Sequence, residues 1–303
     1  MRASYYWQIV CVSVLSCLGC TFLVCATEVH EAARSGDVAK LQEALRSAPQ
    51  LVNVTNELGA TPLHLAAQYG HKDAVQLLLD QGAGIKAREK DGDMPLHGAA
   101  YGGHKDVIGI MLTRGSDVND KGDGDWRPLH AASESGHAEL AQFLIEKGAE
   151  VNARGKSGKT PLHIAAYEGH RAVAEVLLAS GADLAAADEE GVLPIHCAAT
   201  GRKRDDHVAA EMVAFLLTNG ANINAVDKWG RTPLHHAAHH GRTNAMATIL
   251  ARDAEVILKA PQYRTILHSL APSEYVEAAE MLIAKGATID APNEEGQTPL
   301  HRA

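Results

Sequence analysis

The sequence predicts an all-α fold, a solenoid of stacked helix-turn-helix units with short β-hairpin projections. Three observations carry that prediction. A motif recurs as 61-TPLHLAA, 94-MPLHGAA, 127-RPLHAAS, 160-TPLHIAA, 193-LPIHCAA, 232-TPLHHAA, 265-TILHSLA and a closing 298-TPLHRA. Its starts lie 33 residues apart, except for a 39-residue interval from 193 to 232. A unit of this length cannot bury its apolar face alone and gains a core by stacking on its neighbours. Second, a further apolar stripe at helical spacing follows each motif. Third, aromatic residues make up only 4% of the 303 residues while Ala, Leu and Gly abound, which suits closely packed helices better than a β-sandwich.

The elements follow in order along the unit that starts at Thr61. Thr61 is an N-cap residue whose hydroxyl can accept a first-turn N–H. Pro62 takes the first helical position, where its missing N–H costs nothing. Leu63, Ala66 and Ala67 form the packing face of a short first helix, and the alanines permit close approach. Gly70-His71 breaks that helix. Ala74, Val75, Leu78 and Leu79 recur at helical spacing in a second helix. Gly82-Ala83 ends it, as glycine does in a left-handed cap. Residues 84–93 then run outward and turn near Asp91-Gly92.

This pattern resembles the ankyrin repeat family. The resemblance rests on TPLHxAA, on the Gly-His breaks at 70–71, 103–104, 136–137 and 169–170, and on the Gly-Ala runs before Val151-Asn152 and Ile223-Asn224. It covers essentially everything after Thr27. A degenerate capping unit spans 27–55, where Glu31, Arg34 and Lys40 suit a polar outer face. The array spans 56–303: seven full repeats and a partial eighth. The eighth stops inside its first helix, so either the natural chain is longer or the seventh repeat serves as an imperfect cap. The 39-residue repeat carries its six extra residues between its two helices, in TGRKRDDHVAAEM (200–212). Arg202 to Asp206 is expected to be a solvated loop, with a partner-specific loop as the sharper alternative. The seventh repeat is eroded: Ile266 replaces the proline, Tyr263 the turn glycine and 272–275 the break.

Residues 1–26 stand apart. One Arg precedes a run from Tyr5 to Ala26 without any charge, and Val24-Cys25-Ala26 places small residues where signal peptidase cuts. This is a signal peptide or membrane anchor. Cleaved export is favoured over retention, and a lipidated cysteine is a third option. Each places the remaining chain in an extracytoplasmic location. Cleavage after Ala26 would leave Cys197 as the sole cysteine, so packing rather than disulfides must hold the fold. Asn53-Val54-Thr55 has the form of a glycosylation acceptor.

The chain has 28 Lys+Arg against 37 Asp+Glu, a formal charge of −9. No overall basic footprint for nucleic acid is present. The family resemblance implies binding of another macromolecule on a concave surface, without catalysis. By position it implies that the variable first-helix residues and the hairpin tips face the partner: Leu58, Gln68, Tyr69, Tyr101, Trp126, Glu134, Tyr167, Glu168, Thr200, Trp229, His236, His239 and His240, with Leu65, Ile164 and Cys197 at related positions.

The 17 histidines mostly belong to the framework. His64, His97, His130, His163, His196, His235, His268 and His301 are motif residues, His30 is their counterpart in the cap, and four more follow break glycines. The resemblance implies that motif histidines bridge neighbouring repeats, partly through the Thr hydroxyl. Met94, Arg127 and Leu193 lack it, so their networks should differ. His207, His236, His239 and His240 are surplus. With Cys197 they form a weak metal candidate, lacking a demonstrated set of three or four ligands. A nucleophilic role for Cys197 lacks a base and a third group.

The expectation is therefore an exported scaffold or inhibitor, neither enzyme nor cofactor protein, that binds a protein partner and meets a membrane only through its N-terminal segment. Alternatives are a membrane-anchored spacer and a metal-dependent protein. Nothing marks a homo-oligomer.

Overall fold

The computed structural model describes residues 25–202, 206–252, 254–256, 265–270, 275–293 and 295–302. The expectations for residues 1–24, 203–205, Tyr263 and 272–274 lie outside them. The chain divides into two compact units, Met1–Asp123 and Gly124–Ala303.

The first unit contains α1 (25–35), α2 (Val38–Ser47), α3 (Pro62–Gln68), α4 (Lys72–Asp80), α5 (Pro95–Gly102) and α6 (Lys105–Thr113). The second contains α7 (Pro128–Ser135), α8 (Ala138–Glu146), α9 (Pro161–Glu168), α10 (Arg171–Ala179), α11 (Pro194–Thr200), α12 (Asp206–Thr218), α13 (Pro233–His239), α14 (Thr243–Leu250), α15 (Ile266–Leu270) and α16 (Val276–Ala284). First helices pack on first helices: α3 on α5, α7 on α9, α9 on α11, and α11 on α13. The motif explains why. Leu63, Ala66 and Ala67 are fully buried, as are Leu162 and Ala165, and the small alanines let the backbones approach. In α1 Val29, Ala32 and Ala33 are buried while Glu31 and Arg34 face solvent, the division a capping repeat needs. Cys25 and Ala26 already belong to α1, and Ala26 is buried.

The motif histidine is the joint. In α3 the Thr61 N–H donates to His64 Nδ1 at 3.1 Å. That makes Nδ1 the acceptor and leaves the proton on Nε2. His163 Nε2 then donates to the Val192 carbonyl at 2.9 Å, in the next repeat. His97 reaches Asp120 O at 3.1 Å, and His196 reaches Ala225 O at 3.0 Å. Repeats without the threonine hydroxyl keep the joint but lack the hydroxyl–imidazole bond, so their networks differ by that bond. The backbone N–H of Met94, Arg127 and Leu193 donates to Nδ1 at 3.2, 3.2 and 3.1 Å. The threonine hydroxyl turns to the imidazole, 2.9 Å at Thr61–His64 and 2.8 Å at Thr160–His163, where it makes no cap bond. Thr232 Oγ1, by contrast, also accepts the His235 N–H at 3.4 Å and caps α13 as the sequence predicts.

The break glycine is explained by the following repeat. Gly70 and Gly136 are left-handed, with φ of 75° and 81°. A Cβ on Gly36, Gly70 or Gly136 would also strike the ring of His71, His104 or His170. Those rings belong to the next repeat and donate back to Arg34 O, Gln68 O and Glu134 O at 2.8, 2.9 and 3.0 Å.

An asparagine staple adds a third link. Asn53 Nδ2 donates to Gly82 O at 3.3 Å, and Gly84 N donates to Asn53 Oδ1 at 2.7 Å. Asn152 does the same with Gly181 O and Asp183 N, at 3.0 and 2.9 Å. The amide nitrogen that a glycan would need at Asn53 is thus a structural donor.

The hairpins differ from the expected β form: no strand occurs among the described residues. Most described loops close on themselves, as in Asn56 N–Ala60 O and Glu89 N–Asp93 O, both 3.0 Å. Between neighbouring loops the described backbone bond is a single one, such as Lys90 N–Leu58 O at 2.9 Å or Glu189 N–Ser157 O at 2.9 Å. One bond is too few for a ladder.

The described ends of the insertion are tied to neighbouring elements, while the Arg202 side chain stays 59% exposed, as expected of a solvated loop. Arg202 donates to Glu168 at 2.9 Å, and its N–H to Tyr167 O at 2.8 Å. Asp206 accepts from Thr243 Oγ1 at 3.0 Å and from Asn244 N at 2.6 Å, which caps α14 from the preceding repeat. Arg242 answers by donating to Thr200 O and Gly201 O at 2.8 and 2.6 Å. In the eroded seventh repeat, His268 keeps both joints: Thr265 N at 3.1 Å and Gln297 O at 3.0 Å.

Candidate functional site

In the second unit, the first helices α9, α11 and α13 and the hairpin tips beside them bound a cleft of about 390 Å³. Tyr167, Cys197, Thr200, His235, His236, His239 and His240 come from the helices. Ser157, Lys159, Asp188, Glu190, Val192 and Arg231 come from the hairpins. Five residues that the sequence marks as partner-facing therefore converge: Tyr167, Thr200, His236, His239 and His240.

Two buried aspartates build the hairpin wall. Asp188 Oδ1 accepts the N–H groups of Glu190 and Val192, each at 2.9 Å. Asp227 Oδ1 accepts those of Trp229 and Arg231, also at 2.9 Å, while Oδ2 accepts from Arg231 Nε at 2.8 Å. His236 Nε2 donates to the same oxygen at 3.0 Å. Burial alone would raise the Asp227 carboxyl, but the bonds from His236 and Arg231 outweigh it and hold it well below the usual carboxylate range. His236 Nδ1 lies 3.3 Å from Thr200 Oγ1, and its ring meets His196 edge-on at 5.0 Å. Burial, then the neighbouring His236, lowers both His196 and His235 to about 4. These two rings are neutral hydrogen-bonding parts of the wall at neutral pH.

The other expected contacts divide. Leu58 is 67% exposed, Tyr69 44% and Trp229 42%, and Gln68 is exposed. Arg34 lies 5.3 Å over the Tyr69 ring, and Arg231 4.5 Å over the Trp229 ring. Tyr101 is half-buried. Glu134 is half-buried and pairs with Arg202 at 3.6 Å. Three of the expected residues are less open than the rest. His236 is buried, because Asp227 draws its ring inward. Glu168 is buried, because the insertion's Arg202 covers it. Trp126 is half-buried and stacks on the joint residue His130 at 5.6 Å.

The metal set is not assembled: among the described residues no group of three or more His, Cys, Asp or Glu side chains could hold an ion. His236 is committed to Asp227. Cys197 is buried, and burial pushes its thiol up to about 12, away from the thiolate a metal takes. His207 is exposed on α12. Among the described residues no helix is long and apolar enough to cross a membrane.

Sequence reasoning missed Lys159, Asp188, Glu190 and Arg231. A signal existed: 56-NELG, 188-DEEG, 227-DKWG and 293-NEEG share an Asn or Asp three residues before glycine. Each closes its own turn, as Asn56 Oδ1 does with Leu58 N at 2.9 Å and Asn293 Oδ1 with Glu295 N at 3.0 Å.

Comparison with known proteins agrees with this architecture. The family described as "Ankyrin repeats (3 copies)" matches residues 29–122 and 114–188, and "Ankyrin repeats (many copies)" matches 207–250 and 267–303. The chain is 48% identical over 65 residues to a transient receptor potential cation channel subfamily A member 1 homolog of Caenorhabditis elegans, covering 22% of this chain and 5% of that protein. It is 46% identical over 56 residues to the human NAD-capped RNA hydrolase NUDT12, covering 18% of this chain and 12% of the relative. It is 46% identical over 66 residues to human protein fem-1 homolog A, covering 20% and 10%. The chain thus spans only a small part of the length of these relatives.

Proposed function

The chain belongs to the ankyrin repeat family, a family of protein–protein interaction modules, and from that premise we propose that it is a non-catalytic scaffold or inhibitor that grips a protein partner at the second unit's cleft. The observation that carries this reading is the convergence of Tyr167, Thr200, His239 and His240 on one cleft, beside the exposed Trp229. Aromatic anchors in a recess are where interface energy concentrates. The acidic net charge of −9 favours a protein over a nucleic acid as partner.

The same proposal places the chain outside the cytoplasm, on the charge-free run from Tyr5 to Ala26. One experiment addresses both halves. The tagged full-length chain is recovered from its native compartment, its N-terminus is sequenced, and co-purifying proteins are identified by mass spectrometry. We expect an exported chain and a partner whose recovery falls at least about tenfold with Tyr167→Ala plus Trp229→Ala. Undiminished recovery would remove this face from the interface, and a chain found only in the cytosol would remove the export reading.

A further inference from the structure

We propose that His236 is a pH-sensitive latch in the wall of the second unit's cleft: in mild acid its ring carries a hydrogen on both nitrogens and ties α13 to α11 and to the hairpin at once. On losing one of those hydrogens it gives up a tie. The latch belongs to the wall itself and operates whatever the cleft binds.

Three hydrogen bonds fix the state of the ring. The Asp227 carboxylate stays ionised and can only accept, so the His236 Nε2 that meets it at 3.0 Å carries a hydrogen. On the other side, Nδ1 lies 3.3 Å from Thr200 Oγ1. A threonine hydroxyl has one hydrogen, and Thr200 directs it at His196 O, 3.0 Å away. Thr200 therefore meets the ring as an acceptor, and Nδ1 must bring a hydrogen too. A neutral imidazole has a single N–H, so only the cation satisfies all three bonds. With one hydrogen fewer, two bonds survive. Thr200 either turns its hydroxyl to Nδ1 and abandons His196 O, or keeps His196 O and leaves Nδ1 unpaired.

The surrounding charges agree. The Asp227 side chain is fully buried and that of His236 only 10% exposed, so water screens their attraction little. Arg231 shares the same carboxylate oxygen and opposes a second cation, but its side chain is 39% exposed and its charge is better screened. The neighbouring imidazoles yield. On α11, His196 meets the His236 ring edge-on at 5.0 Å, and burial, then His236, lowers it to about 4. On α13, His235 is lowered to about 4 by the same two causes. Burial, then His239 and His236, lowers His240 to about 4, with Arg242 at the head of α14 acting in the same sense. From α15, His268 is spent on Thr265 N and Gln297 O. Across the cleft, Asp188 and Glu190 favour the cation and Lys159 opposes it.

Placement makes the latch matter. α11 packs on α13, and Thr200 and His236 both line the cleft. The bond that depends on the second hydrogen is therefore one that holds two walls of the recess together.

The test is nitrogen magnetic resonance of the full chain with isotopically labelled histidine, read at about pH 6 and about pH 8.5, on either side of the ordinary histidine range. His236→Gln identifies the signal. At the lower pH we expect both His236 nitrogens to carry hydrogen, while His196 and His235 carry one each. At the higher pH His236 should keep only the hydrogen that faces Asp227. Asp227→Asn should remove the second hydrogen at the lower pH as well. Urea denaturation reads the tie to α11 separately. Thr200→Val should raise the unfolding constant severalfold more at about pH 6 than at about pH 8.5, and Thr200→Ser should restore the unaltered behaviour. A single hydrogen on His236 at the lower pH, two at the higher, or an equal effect of Thr200→Val at both overturns the proposal. If Thr200→Val fails to fold, the resonance result on the unaltered chain still decides.

Discussion

Buried imidazoles make the joints between repeats, and each works only while neutral. His196 carries a proton-accepting Nδ1 against a backbone N–H and reaches Ala225 O through Nε2; His235 shares the Nδ1 bond, while its buried Nε2 has no hydrogen-bond partner among the described residues. In the unfolded chain a histidine takes its second proton near pH 6.5. In the folded chain these two resist until about 4, because burial and the adjacent His236 oppose the charge. Between those values the unfolded state binds more protons, so stability is full above about pH 6.5 and is lost as pH falls toward about 4. Each of the two contributes up to about 3 kcal/mol over that window. His64 and His163 are lowered for the same reason, burial, and act in the same direction. We expect the thermal midpoint to fall clearly between pH 7.5 and pH 5 in scanning calorimetry, by about 4 °C or more; an unchanged midpoint would contradict the neutral-joint account. Repetition made these histidines legible in the sequence. His236 was not, because its inward turn depends on Asp227, a hairpin residue whose position relative to α13 only the folded loop defines.

At the scale of elements, the sequence showed where helices start and stop but not what each stop is for. Glycine at 70 and 136 reads as a left-handed cap, yet the positions are doubly constrained by the ring of the following repeat. Gly136→Ala should therefore cost more than backbone strain alone, about 2 kcal/mol or more in urea denaturation. A loss below about 0.5 kcal/mol would show that the His170 ring moves aside freely. The cap that the lengthened repeat supplies was not legible, because a cap drawn from another repeat leaves no local pattern. Asp206 sits at the start of α12 but bonds to the N-terminus of α14. Asp206→Ala should destabilise α14 by about 1 kcal/mol, seen as faster hydrogen exchange at Asn244 and Ala245 with protection in α9 and α10 retained. Uniform exchange across α14 in both proteins would refute trans-capping. The hairpins were over-read as β structure, since turn residues predict reversal but not a ladder.

At the scale of the molecule, the array was almost wholly legible, because eight copies of one motif average away every local ambiguity. The candidate cleft was half legible: its helix wall lay at variable motif positions, whereas its hairpin wall came from residues chosen for turn closure. Within each unit the joints share one property. They connect residues 23 to 42 positions apart, from His97–Asp120 to Thr200–Arg242, and the longer of them link a repeat to the next. During synthesis this makes folding vectorial. A repeat leaving the ribosome has no acceptor for its imidazole and no ring over its break glycine until another repeat's worth of chain has emerged, on the order of several seconds later. The nascent chain thus exposes one unfinished seam at a time, at its newest end, and never needs the distant part of its own sequence to close the seam behind it.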